Sequence, residues 1–97
     1  MGAKGYVVVN VTVTDPERYP AYAKAAFDTV TRYGGRYLVR GAKAEIREGH
    51  PTPDRFVILE FPSLEQAKRW YDSEEYRPLK ALRLSAARAN GFLVQGV

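Results

Sequence analysis

The sequence predicts an α+β fold with the element order β-α-β-β-α-β, and three features carry that expectation. Residues 5–13 and 55–61 are dominated by β-branched and aromatic residues of the kind strands favour. Between them, apolar residues recur at the i, i+3, i+4 spacing of an amphipathic helix. After the second of these runs, Ser63-Leu64-Glu65-Gln66 forms a capping box that opens another helical segment.

Taken in order, Gly5 to Val13 reads as a strand with Val7, Val9, Val11 and Val13 on one face and Tyr6, Val8, Asn10 and Thr12 on the other. Both faces are mostly apolar, so both are expected to be covered. Thr14-Asp15-Pro16-Glu17 is a helix start, with Asp15 as cap and Pro16 in the first turn. Tyr19, Tyr22, Ala23, Ala26, Phe27, Val30 and Tyr33 then form one stripe. Gly34-Gly35 ends it, because glycine enters the left-handed region without a steric penalty. Residues 36–48 read as a second strand in which Gly41 marks a bulge or bend. Residues 49–54, Gly-His-Pro-Thr-Pro-Asp, read as a loop.

Arg55 to Phe61 is the third strand, stopped by Pro62. In the following helix Leu64, Ala67, Lys68 and Tyr71 share a face, with Trp70 beside it. Asp72-Ser73 interrupts that helix, and Pro78 forbids a smooth continuation. A further helix over residues 78–88 is expected to bury Leu79, Leu82 and Ala86, and residues 92–95 give a short last strand.

This order is that of the ferredoxin-like fold, a four-stranded antiparallel sheet with both helices on one face. The split βαβ connection is expected to set the first and third strands parallel at its centre. The sheet face without helices is too apolar for a monomer, so a second copy packed face to face, a two-fold dimer, is expected to cover it.

The 97 residues make a single domain spanning 1–97. Hydrophobic residues account for 45% of it, as in ordinary globular proteins, and seven tyrosines supply most of the aromatic share. There is no cysteine, which removes disulfides, thiolate nucleophiles and cysteine-held metal centres together. The start leads directly into a strand-like run with no signal-peptide core, and no apolar run is long enough to cross a bilayer. A cytoplasmic location without membrane contact is therefore expected. The net charge of +4 is spread along the chain rather than clustered, so it reads first as a solvated surface and second as a draw for acidic small molecules, and no nucleic-acid partner is expected.

The stretch Tyr33-Gly34-Gly35-Arg36-Tyr37-Leu38-Val39-Arg40-Gly41 resembles a bacterial family known as domain of unknown function 1330. Glu60-Phe61-Pro62-Ser63, Trp70-Tyr71-Asp72-Ser73-Glu74-Glu75-Tyr76 and the closing Val94-Gln95-Gly96-Val97 agree with it, from Lys4 to the end. The resemblance implies the dimeric α+β barrel superfamily, in which two ferredoxin-like sheets close into a barrel. That superfamily includes cofactor-free monooxygenases, haem-degrading enzymes, muconolactone isomerase-like enzymes, dye-decolorising peroxidases and ligand-sensing domains, so kinship alone transfers no reaction.

Candidate chemistry falls on the sheet face turned from the helices. By alternation Tyr6, Val8 and Asn10 lie there, with Phe56, Ile58 and Glu60 if Val57, Leu59 and Phe61 face the helices. Glu60 is then a carboxylate in an apolar cavity. Left unpaired it would have a raised pKa and suit general acid–base work; paired with Arg40 from the second strand it would be a structural ion pair or an anion-binding spot. His50, the only histidine, is either a surface residue or a proton donor on a flap over the barrel mouth. Trp70 and Tyr76, with Tyr71, surround the break between helices and serve as core or as pocket wall.

The expected function is the binding of a small, partly apolar or anionic organic molecule inside the barrel. Glu60 and His50 are the candidate catalytic residues; Arg40, Asn10, Tyr6, Phe56, Trp70 and Tyr76 are the candidate binding residues. Whether the chain is an enzyme is left open, and no metal or cofactor is called for. The alternatives are a non-catalytic structural or ligand-sensing dimer and, more weakly, haem held by His50.

Overall fold

The computed structural model describes residues 2–51 and 54–97. Its elements are β1 (Gly5–Val13), α1 (Tyr19–Arg32), β2 (Arg36–Lys43), β3 (Arg55–Phe61), α2 (Leu64–Tyr71), α3 (Arg77–Ala86) and β4 (Ala87–Gln95). The strands form one antiparallel sheet in the order β2-β3-β1-β4, the ferredoxin-like arrangement. β1 and β3 are central, but they pair antiparallel and not parallel as the sequence reading had them. The direction follows from the connections. The α1 crossover returns the chain so that β2 runs with β1, and the β2–β3 connection then reverses it.

β1 and β3 occupy the residues expected of them. The Asp15 carboxylate accepts from the amides of Glu17 and Arg18, so it caps as expected, yet regular helix begins only at Tyr19. Pro20 explains the delay: placed in the first turn, its missing N–H leaves no gap in the helical ladder. Gly34, at φ +81°, takes the left-handed turn after α1. α2 is capped by Ser63, whose Oγ accepts from the Gln66 amide at 3.1 Å.

β2 stops at Lys43 and not at residue 48. Lys43 already faces Arg55, the first residue of β3, so the next residues have no partner strand. α3 ends at Ala86 and β4 starts at Ala87, so the strand is longer than the expected 92–95 and the helix shorter than 78–88. β4 pairs with β1 along its whole length, from Ala87 opposite Val13 to Gln95 opposite Gly5, and this ladder overrides the helical preference of Ala87. The amides of Thr14 and Asp15 both donate to the Ala86 carbonyl at 2.9 Å and fix the corner.

The helices cover one sheet face. The core there joins Val7, Leu59 and Phe61 of the sheet to Ala26 and Val30 of α1, Ala67 and Trp70 of α2, and Tyr76. On the opposite face an apolar row crosses all four strands, since Val39 faces Ile58, Ile58 faces Val8, and Val8 faces Phe92. Phe92 is 60% exposed, and Val94 and Leu38 are also open to solvent. Among the described residues no helix is long and apolar enough to cross a membrane.

Candidate functional site

A cavity of about 550 Å³ lies between the helices and the sheet, on the covered face. Alternation along the strands builds its floor: Val7, Val9 and Val11 of β1 and Val57 and Leu59 of β3. Tyr19, Tyr22 and Ala23 come from the inner stripe of α1, and Tyr37 from β2. Trp70 and Tyr71 close α2, and Tyr76 sits at the break before α3; all three rings line the cavity. Trp70 and Tyr76 pack with ring centroids 4.2 Å apart.

The polar groups in this wall are few and specific. The hydroxyls of Tyr22 and Tyr76 share a hydrogen bond of 2.7 Å. Burial, reinforced by Tyr76, pushes the Tyr22 phenol far above its usual range. Burial also pushes Tyr37 up to about 12, against the pull of Arg40. Both therefore stay protonated at neutral pH. The Trp70 indole donates to Thr29 Oγ1 at 3.0 Å, and that hydroxyl donates onward to the Ala26 carbonyl, so Trp70 offers the cavity its ring and not its N–H.

The charged groups lining the cavity are Arg40, Arg55 and Arg83; no Asp, Glu or His is among the described lining residues. Arg40 and Arg55 are exposed and mark the rim. The Arg40 guanidinium lies 4.6 Å from the Phe27 ring centre and 5.1 Å from that of Tyr37, a cation–π clamp on a stacked aromatic pair. Arg83 is buried, only 8% exposed. Burial works against its charge, but the oxygens of Tyr76, Tyr22 and Tyr71 favour it, and its pKa lies above the ordinary arginine value.

The residues singled out in the sequence divide among three places. Arg40, Trp70 and Tyr76 line the cavity. Tyr6, Asn10, Phe56 and Glu60 lie on the opposite sheet face, where Tyr6 is paired across strands with Glu60 and Asn10 with Phe56. His50 is exposed in the β2–β3 connection and does not line the cavity. Arg40 does not reach Glu60, as the sequence reading allowed, because it stands opposite Val57 on the helix side. Glu60 pairs instead with Arg36, Nε to Oε1 at 2.9 Å, and accepts from the Tyr6 hydroxyl at 3.0 Å. These two hydrogen bonds, Arg36 first, lower its pKa, so the raised carboxyl of an unpaired glutamate is not found. Among the described residues no group of acidic, histidine or cysteine side chains is placed to hold a metal ion.

Sequence reasoning passed over Arg83, Arg55, Tyr22 and Tyr37 as site residues. Arg83 left a trace: it falls on the inward stripe of α3 with Leu79, Leu82 and Ala86, where a cation is out of place. Tyr22 looked like core, and it is both core and cavity wall.

Compared with known proteins, residues 4–97 match a family described as Domain of unknown function (DUF1330). No curated protein matches the sequence. Among solved structures, the RPA0582 protein of Rhodopseudomonas palustris, of unknown function, is 19% identical, with a TM-score of 0.76 over 100% of this chain and 85% of that one. SnoaB of Streptomyces nogalater, described as a cofactor-independent oxygenase, is 13% identical, with a TM-score of 0.69 over 98% and 94% of the two chains. A dimeric ferredoxin-like protein of unknown function from Thermobifida fusca is 7% identical, with a TM-score of 0.58 over 98% and 92%. At these identities the likeness is one of fold.

Proposed function

The chain belongs to the family described as Domain of unknown function (DUF1330), and on that premise we propose that it binds a small, largely apolar organic molecule in the cavity between sheet and helices. The observation that carries this reading is the cavity itself: about 550 Å³, floored by valines, walled by tyrosines and Trp70, with a small set of polar groups. Its volume falls within the few hundred to a thousand cubic ångströms usual for such sites. A well-packed interior leaves few voids larger than a water molecule, so a space of this size is not a packing remainder.

The same wall favours binding over proton-transfer catalysis by the protein. Tyr22 and Tyr37 hold their protons and Arg83 its charge, so none of these groups accepts a proton near neutral pH. Cofactor-independent turnover of the kind SnoaB's description names would, in this cavity, draw on the ligand's own acidity. The open sheet face supports the further reading that two copies pair there, as the Thermobifida protein's description as dimeric suggests for this fold.

A thermal-shift screen of small acids and aromatics tests the cavity. A ligand at a hundredfold excess over its Kd stabilises by about 2.7 kcal/mol, roughly 10 °C or more in a domain of this size. Ala23→Phe, which fills the cavity from α1, is expected to abolish the shift while leaving the protein folded. Shifts of equal size in Ala23→Phe and wild type would place the binding elsewhere.

A further inference from the structure

The charge in the cavity is one-sided. Arg83 stands on the inward stripe of α3 and is 8% exposed, yet none of the four ion pairs found among the described residues includes it. No described carboxylate lines the cavity to answer it. A buried cation without a countercharge is strongly disfavoured unless something compensates. The tyrosine oxygens of Tyr76, Tyr22 and Tyr71 outweigh the burial and keep Arg83 charged, but they supply no countercharge, so the net positive charge stands.

Resting on the cavity reading above, we propose that the ligand is a planar aromatic monocarboxylic acid whose carboxylate docks on Arg83. A guanidinium presents a planar fork of donors that matches a carboxylate bidentately. One buried arginine balances one negative charge; a dianionic phosphate would need more, and Arg40 and Arg55 are exposed at the rim. The aromatic part of the ligand follows from the walls. The rings of Trp70, Tyr71 and Tyr76 form a contiguous cluster beside the valine floor, and rings stack favourably on such surfaces. The rim arginines draw an anion inward, and the buried one fixes its orientation.

Isothermal titration of the whole chain with 2-naphthoate and with 2-naphthamide, equal in shape and different in charge, tests this. Wild type is expected to bind the acid about 10- to 100-fold more tightly than the amide, as a charge-assisted pair implies. Arg83→Met is expected to lose that preference while keeping its affinity for the amide within a few-fold, and Arg83→Lys to keep part of it. The acid–amide comparison in wild type needs no variant, so it stands even where Arg83→Met does not fold. Equal binding of acid and amide by wild type overturns the proposal and leaves the cavity intact. So does a preference that survives Arg83→Met, which would move the anchor to Arg40 or Arg55. Binding of neither compound removes the cavity reading itself, and this one with it.

Discussion

Tyr22 and Tyr76 each bring a hydroxyl into the same buried spot, and each is the other's hydrogen-bond partner at 2.7 Å. Removing one leaves the other without that partner, and an orphaned buried hydroxyl costs about 1–3 kcal/mol. Tyr22→Phe and Tyr76→Phe are each expected to lower the unfolding free energy by about that amount in urea titrations. Because both report the same contact, the double variant is expected to lose markedly less than the sum of the two. Additive losses would mean that the hydroxyls act independently. Residues of this kind were half legible in the sequence. Helical spacing placed Tyr22 inward, but nothing in a one-dimensional pattern brings residue 22 against residue 76. Glu60 shows the opposite case: its face was read correctly, while its partner was not, since Arg36 and not Arg40 holds it.

That error belongs to the scale of elements. In an unbroken β2, Arg36 opposite Glu60 would put Arg40 opposite Phe56, on the same face as Glu60. The register shifts between Tyr37 and Val39, so Leu38 is an extra residue and Arg40 moves to Val57 on the helix side. A one-residue slip exchanges the faces of everything after it. Gly41, at φ +80°, announced the second irregularity, but the first falls at a leucine with no compositional mark. The start of β4 was equally hidden, because Ala87 and Ala89 favour helix locally and only pairing with β1 overrules them. Local signal and tertiary structure agree at the Ser63 Oγ that caps α2, although the Gln66 side chain bonds the Tyr33 carbonyl instead of completing the capping box. Ser63→Ala is expected to destabilise by about 1 kcal/mol, with the loss focused on hydrogen-exchange protection in α2. Unchanged protection there would show that packing of Ala67 and Trp70, and not the cap, holds that helix.

At the scale of the whole molecule the sequence showed that the sheet is apolar on both sides, but its reading put the cavity on the face turned from the helices, whereas the structure opens one between sheet and helices. Counting apolar faces reveals that both need covering; it does not reveal that the tyrosines of α1 and the rings at the break between α2 and α3 line a space above the sheet. The open face, with its row of Val39, Ile58, Val8 and Phe92, supports pairing with a second copy. Ile58→Arg places a charge in the middle of that row and is expected to convert a dimer to a folded monomer in sedimentation. A dimer that survives the substitution would mean that association uses another surface.

Trp70 is the chain's one tryptophan and lines the cavity, so its emission reports on that space directly. The decisive measurement is a titration of 2-naphthoate followed by that emission in wild type, in Ala23→Phe and in Ile58→Arg. Saturable quenching in wild type and Ile58→Arg, lost in Ala23→Phe, is the result expected of a ligand held between sheet and helices. Quenching that survives Ala23→Phe but disappears in Ile58→Arg would contradict it and put the site on the open face of the sheet.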